Sequence, residues 1–383
     1  MFGNKMPRIS AGQFATMITA GYAGLGIFYF PRPLVEEAGR AGLYGFWLDA
    51  LAAFLLMRLT FRMDRLVPNE TFSRFAALLL SKPVGYLLGL YTIVYHLLLA
   101  ISATVLFSLV LGNIFLPSTP IWAIDGALTL TAAYMAWNGV ASLARTLQAS
   151  YIPLLVLTML SITLAAVSIR HASLLVPSPD VQVTPLLKGV YHQFLIFIGF
   201  QLSVTLYPFV RAEERTRAER YSYFALAGIV LALTLQYEVI MAVFGPVLTS
   251  EIRWPLVSAY RIISVSGFYI SKLGALLILL WTTVVVAFVA VRLWCLTHDL
   301  SVFFKDLVGI RYDVGLLIMS LLSIGGSLLF PNAKVADIFN ERFLVPFGLG
   351  YLTVIPAIVL IAAKLRPRRV LDLKTLSEKG PEL

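Results

Sequence analysis

Glycines and a few polar side chains set inside otherwise apolar runs are the residues of this sequence best equipped to bind something. One run reads Gly21-Tyr22-Ala23-Gly24-Leu25-Gly26-Ile27 and is followed by Pro31 and Pro33. A second reads Phe197-Ile198-Gly199-Phe200-Gln201-Leu202-Ser203 and is followed by Pro208. In a bilayer, backbone N–H and C=O groups leave a helix only where protein or a cavity surrounds them. Glycine clusters in mid-span therefore mark places where a helix breaks and turns amides and carbonyls toward a ligand. Amides at the first break suit a carboxylate, and carbonyls at the second, with Gln201, suit an ammonium group. The plainer alternative is that these glycines only let helices approach closely. The matched pair favours the break.

Other polar groups are sparse. An acid at the bilayer centre costs roughly 2.5–3.5 kcal/mol on insertion scales and therefore faces the interior of a bundle. Asp49, Asp125 near a span end, and Glu238 are the candidates, and Glu238 sits deepest by position. Proton coupling through Glu238 competes with a structural pairing to a hydroxyl or arginine. His96 lies among Tyr91, Thr92 and Tyr95 and either lines a cavity, where with Glu238 and Thr283 it is a candidate for ion or proton coupling, or packs as a satisfied histidine. Thr282 and Thr283 offer hydroxyls for an ion or water, or for their own helix backbone. Tyr22, Tyr95 and Phe200 complete the set of candidate ligand-binding residues, with Gly24, Gly26, Gly199, Gln201 and Thr282. His192 reads as a residue near the outer mouth. No metal-ligand cluster, nucleotide motif or catalytic triad is evident, so neither an enzyme nor a cofactor is expected.

The elements that must position these residues follow from composition. Of 383 residues, 59% are hydrophobic and 13% charged, against roughly 25% charged in a soluble domain. At roughly 20 residues per span, the apolar supply supports about ten helices. Apolar runs place them near 9–30, 43–61, 84–112, 119–138, 147–169, 188–209, 221–246, 269–298, 312–330 and 343–363. Long unbroken runs such as Leu273 to Val291 argue against a β-barrel. Divided into two fives, the spans put the two glycine clusters at equivalent positions, in helices 1 and 6. That is the pattern of an inverted-repeat bundle with paired discontinuous helices.

The net charge of +10 acquires meaning by position. With both termini inside, 21 of the 30 Lys and Arg residues, Arg292 among them, fall on cytoplasmic segments or span ends, as the positive-inside rule requires. Residues 170–188, with three prolines, are expected to run extended. Residues 253–268 suggest a short helix on the outer face, and 66–81 an interfacial helix capped by Asn69 or Thr71. The tail, 364–383, is expected to be polar and disordered at its end. The single cysteine, Cys295, excludes a disulfide framework.

Ile9-Ser10-Ala11-Gly12-Gln13-Phe14, Gly24-Leu25-Gly26-Ile27 with Phe30-Pro31-Arg32, and Leu116-Pro117-Ser118-Thr119-Pro120 resemble the spore germination permease family, the GerAB-type subunit of germinant receptors. Trp137-Asn138-Gly139-Val140, Ala144-Arg145 and Tyr151-Ile152-Pro153 continue the resemblance along the chain. It implies the amino acid–polyamine–organocation superfamily and its LeuT-like 5+5 inverted repeat. It further implies a multi-pass protein of the spore inner membrane that senses a small nutrient, such as an amino acid, and acts with a larger membrane subunit and a lipoprotein subunit. Gln201 stands where transporters of that superfamily often carry an acid, which argues against charge pairing with a cationic amine. The expected function is nutrient sensing through a ligand held between helices 1 and 6. The alternative is an ion- or proton-coupled transporter of amino acids or related amines using the same site.

Overall fold

The computed structural model of the chain describes residues 8–22, 24–27, 29–167, 169–262, 273–303 and 310–378. Among the described residues the elements are all helical, apart from an isolated parallel bridge between Ile9 and Val210. Ser10 and Gln13 form a reciprocal cap: the Ser10 hydroxyl accepts from the Gln13 N–H at 3.3 Å, and the Gln13 side chain accepts from the Ser10 N–H at 2.9 Å. Two otherwise orphaned amides are thereby satisfied, which fixes the start of α1 (Ala11–Ala20). Helix resumes at α2 (Arg32–Ala38), opened by Pro31 and Pro33, and continues in α3 (Gly42–Asp64), α4 (Phe72–Leu79), α5 (Lys82–Ile114), α6 (Ile121–Trp137) and α7 (Val140–Ala166).

The second half begins with α8 (Val183–Gln193), a tighter 3-10 stretch over Phe194–Leu202, and the single turn α9 (Ser203–Leu206). Next come α10 (Arg215–Glu251), kinked at Gly245 (φ +74°) ahead of Pro246, and α11 (Pro255–Ile262). The chain continues through α12 (Leu273–Phe303) and α13 (Tyr312–Ser327). A long run then comprises α14 (Ala333–Phe339), α15 (Val345–Leu349) and α16 (Ile355–Leu365), joined by wide π-helical turns, before α17 (Pro367–Glu378). Seven of these stretches are long and apolar enough to cross a membrane: 32–64, 82–114, 140–166, 183–209, 212–251, 280–302 and 333–365.

The distribution of side chains identifies the solvent. On α13, Ser320, Ser323 and Ser327 are buried, whereas Val314, Leu317, Leu321 and Leu322 are exposed. A helix in water would turn the other way. Hydroxyls inside and leucines outside is the arrangement a hydrocarbon environment selects, because the buried polar atoms find partners only within the bundle. The Ser327 hydroxyl shows this: it donates to Asp125 of α6 at 2.9 Å. The chain is a multi-pass membrane protein. α12 runs through the middle, packed along α5 and touching α6 and α13, while α1 lies against α10 and α7.

Three peripheral segments differ from expectation. Within 66–81 the helix spans Phe72–Leu79; Thr71 occupies the cap position, but its hydroxyl does not bond the helix. The segment 170–188 is extended only in part, because α8 starts at Val183, ahead of Pro185, which the first turn of a helix tolerates. The tail is helical from Pro367 to Glu378, with Val370 and Leu373 buried and α4 beneath it. Arg366 holds it there by donating to the Leu79 and Leu80 carbonyls at 2.8 and 3.0 Å. Residues 379–383, residues 263–268 of the short outer helix, and the expected span start at 269 lie outside the described residues.

α4 seats on α5 through Gly85, where a Cβ would overlap the backbone of Ala77. Gly85→Ala gains helix propensity, at most about 1 kcal/mol, but drives backbone against backbone, an overpacking worth about 1–3 kcal/mol. The substitution is expected to lower the melting temperature of the detergent-solubilised protein; an unchanged or higher value would show that α4 can shift at no cost.

Candidate functional site

The intrahelical bonds of α1 end with the Gly21 N–H on the Ile18 carbonyl at 3.0 Å and the Tyr22 N–H on the Thr19 carbonyl at 3.1 Å. From there to Pro31 no described residue is helical, and Gly26 takes φ +86°, a conformation that side-chain-bearing residues rarely adopt. In the other interrupted segment, Phe197 departs from helical geometry at φ −105°, ψ 21°. The two interruptions touch. A Cβ on Gly21 would lie 2.7 Å from Gly199 Cα, and one on Gly199 would lie 2.6 Å from the Ile18 carbonyl oxygen and 2.8 Å from Gly21 C. At Gly24 a Cβ would overlap the ring of Phe288 on α12. Glycine is therefore required at this crossing by contact, and Gly21, although not among the expected ligand-binding residues, is its centre.

Around the crossing, Tyr22, Phe200 and Gln201 are buried. The Tyr22 hydroxyl reaches only the Met57 sulfur, at 3.9 Å. Neither end of the Gln201 amide has a hydrogen-bond partner. Across on α5, Tyr95 is buried against Gly348, with its ring 5.8 Å from that of Phe347 and 5.0 Å from that of Tyr351. His96 beside it is buried with both ring nitrogens unpartnered, so it is not a satisfied packing histidine.

The remaining candidates stand apart. Glu238 is half-buried, while Asp49 and Asp125 are the enclosed acids. Depth along a span does not decide which way a side chain faces, and α10 turns Glu238 partly outward. Thr282 is half-buried and Thr283 exposed, so the pair does not share an enclosed face.

The two ends of the bundle differ. At the N-terminal end of α1 the chain is tied to the segment after α9: the Ile9 N–H donates to the Phe209 carbonyl at 2.8 Å, and Arg8 donates to the Pro208 carbonyl at 2.9 Å. The Ala11 N–H donates to Glu214 at 2.7 Å. Beside them, buried Glu219 accepts from Arg65 and, at 2.8 Å, from the Tyr207 hydroxyl. The opposite end holds a cavity of about 260 Å³ that reaches Gly26 and is bordered by Gln193, His192, Glu37, Asn340 and Glu341. His192 spans it, with ring nitrogens 4.0 Å from Glu37 on the α2 side and 3.4 Å from Glu341 beyond α14. It is a bridge across the mouth, not merely an interfacial residue.

One feature escapes a reading by charge alone. Arg292, grouped by position with inner-face charge, is fully buried within α12, and its guanidinium lies 3.6 Å over the Phe288 ring. None of its three nitrogens has a hydrogen-bond partner. The signal in the sequence is a lone arginine in the otherwise apolar run Val284 to Leu296.

Broken helices crossing backbone to backbone beneath a cavity give the described residues a LeuT-like fold. A crystal structure of MhsT in complex with L-phenylalanine superposes with a TM-score of 0.63 at 14% identity, covering 98% of this chain and 97% of that one. The family follows from sequence: residues 8–322 match the Spore_permease model of spore germination proteins, and the chain belongs to that family. Spore germination protein B2 of Bacillus subtilis (strain 168) is 22% identical over 282 residues, covering 70% of this chain and 73% of that protein. GerLB of Bacillus cereus is 20% identical over 367 residues, covering 94% and 95%.

Replacing Gly199 by alanine places a methyl group against the backbone of Ile18 and Gly21 and the ring of Tyr22. A loss of about 1–3 kcal/mol is expected, read as a lower melting temperature of the purified protein. Gly228→Ala, at a helical glycine with open space around its Cβ position, serves as the control and should leave it unchanged or raised. Equal effects of the two would refute the crossing as a point of enforced contact.

Proposed function

We propose that this chain is the nutrient-sensing membrane subunit of a spore germinant receptor. A small zwitterionic ligand, an amino acid by preference, binds between the two interrupted helices at Gly24, Gly26, Gly199 and Gln201. Tyr22, Tyr95, Phe200 and Thr282 contribute to the walls. The observation that carries this reading is the crossing at Gly21 and Gly199, with the buried, unpartnered Gln201 amide two residues further on. A buried amide without partners costs free energy that a polar ligand would recover. Membership of the germination family supports the role, and the L-phenylalanine complex of MhsT supports the ligand class. In this reading the chain forms ten spans as two inverted fives with both termini in the cytoplasm. It sits in the spore inner membrane and acts with a larger membrane subunit and a lipoprotein subunit.

The LeuT fold also serves transport, so a secondary transporter of amino acids or amines is the second reading. A sensor needs only two packings of the bundle with different affinities for the ligand; a transporter must complete the exchange of access.

In spores carrying Gln201→Leu in place of the native chain, the nutrient concentration for half-maximal germination should rise about 5–150-fold, as loss of a hydrogen-bonding group worth about 1–3 kcal/mol requires. Immunoblotting should show normal accumulation. An unchanged dose response at normal protein level would sink the site. Saturable, gradient-driven amino acid uptake into proteoliposomes of the isolated chain would replace the sensor with the transporter.

A further inference from the structure

Arginine holds its proton under all ordinary conditions, so a buried guanidinium cannot escape its charge by titration as a lysine can. Burying it without an anion is among the least favourable arrangements a fold can contain. Arg292 is in that position: it is fully enclosed, its three nitrogens have no hydrogen-bond partner, and its guanidinium lies over the face of Phe288. No carboxylate among the described residues forms an ion pair with it. Asp299, two helical turns along α12, is occupied by the Thr205 hydroxyl at 2.7 Å.

The surroundings suit an anion. α12 packs along α5, on which the Tyr95 hydroxyl and both His96 nitrogens are buried and unpartnered. A guanidinium fork with a phenol and an imidazole on the facing helix offers the donors that a planar carboxylate takes. The same cluster connects to the break in the first helix, because Phe288 contacts both the Arg292 guanidinium and the backbone at Gly24.

We propose that Arg292 receives the carboxylate of the ligand. This deepens the receptor reading and rests on it: the nutrient class becomes one bearing a free carboxylate. The freed amides of the first break, to which the sequence alone gives that carboxylate, serve instead to shape the entrance. Arg292 is fully enclosed in this packing, so capture belongs to an arrangement in which α12 has moved relative to α1. A carboxylate that draws the guanidinium off Phe288 releases the ring from Gly24. Ligand chemistry is thereby linked to the conformation of the broken helix.

The test is a thermal-shift titration of the full chain in detergent. The probes are the twenty L-amino acids, the carboxamide of each one that stabilises, and potassium chloride. The expected result is that at least one amino acid raises the melting temperature and its carboxamide does not. Arg292→Met should abolish that shift while raising the melting temperature of the ligand-free protein, since an unpaired buried charge has gone. Arg292→Lys keeps the charge without the fork, covers the case in which Arg292→Met does not fold, and should weaken apparent affinity about tenfold or more. A carboxamide as effective as the acid, a full shift in Arg292→Met, or wild-type affinity in Arg292→Lys would overturn the inference and leave the receptor reading standing. A shift from chloride alone that Arg292→Met removes would overturn it in favour of an inorganic anion. If no amino acid stabilises the wild-type chain, the amino acid reading fails and the inference fails with it.

Discussion

The arrangement of this protein depends on one contact, the crossing of two backbones at Gly21 and Gly199. Helices ordinarily pack 8–10 Å apart because side chains separate them. Here a Cβ on either residue would come within 2.8 Å of the opposing main chain, a separation no side chain allows. So close an approach brings the ends of two interrupted helices together. The amides and carbonyls released by the interruptions then share one enclosed region instead of facing lipid, where each would cost several kcal/mol. The capping box at Ser10 and Gln13 serves the same end, because it fixes where α1 starts and therefore which residues arrive at the crossing.

The two ends of the bundle use different physics. The end bearing the start of α1 is held by main-chain bonds from Ile9 and Ala11 and by the cluster of Arg65, Tyr207 and Glu219. Charge-assisted bonds to a buried carboxylate such as Glu219 are worth more than pairs between fully exposed charges, and removing the partners leaves that charge stranded. At the other end the pairing is looser: His192 sits between two carboxylates at 3.4 and 4.0 Å, across a cavity of about 260 Å³. The bundle is therefore closed tightly on one side of the crossing and accessible on the other. The cavity on the open side reaches Gly26, at the break in the first helix.

Much of this was legible in the sequence, for identifiable reasons. Glycine clusters within apolar runs announce interruptions because a bilayer gives exposed backbone no other refuge, and both clusters fall where helical geometry fails. Family resemblance and apolar content pointed to a helical membrane bundle, and the exposed leucines of α13 show the inversion that lipid demands. What could not be read was direction around a helix axis. Glu238 is deep along its span yet half-exposed, because α10 faces that side partly outward; Thr282 and Thr283 are adjacent and so cannot face one way. Arg292 was hidden for the converse reason. Charge counting assigns arginines to loops and span ends, and only the packing of α12 against α5 shows this one fully enclosed. The helical tail was missed because Val370 and Leu373 look isolated among charges until α4 lies beneath them.

Taken together, the buried polar atoms left without partners are the points at which a second packing of the bundle, or a bound molecule, would gain most. A bundle in hydrocarbon cannot use water to satisfy what its own side chains leave open, so Gln201, His96 and Arg292 hold free energy that another arrangement, or a bound molecule, can release. Such groups are tolerated when the state containing them is not the only one the sequence serves. A ligand binding equally well to both arrangements would change nothing; one that completes these bonds in a single arrangement shifts the balance by its full difference in affinity. The residues that leave hydrogen-bonding capacity open at the centre of the fold are for that reason the ones through which a bound molecule would act on its packing.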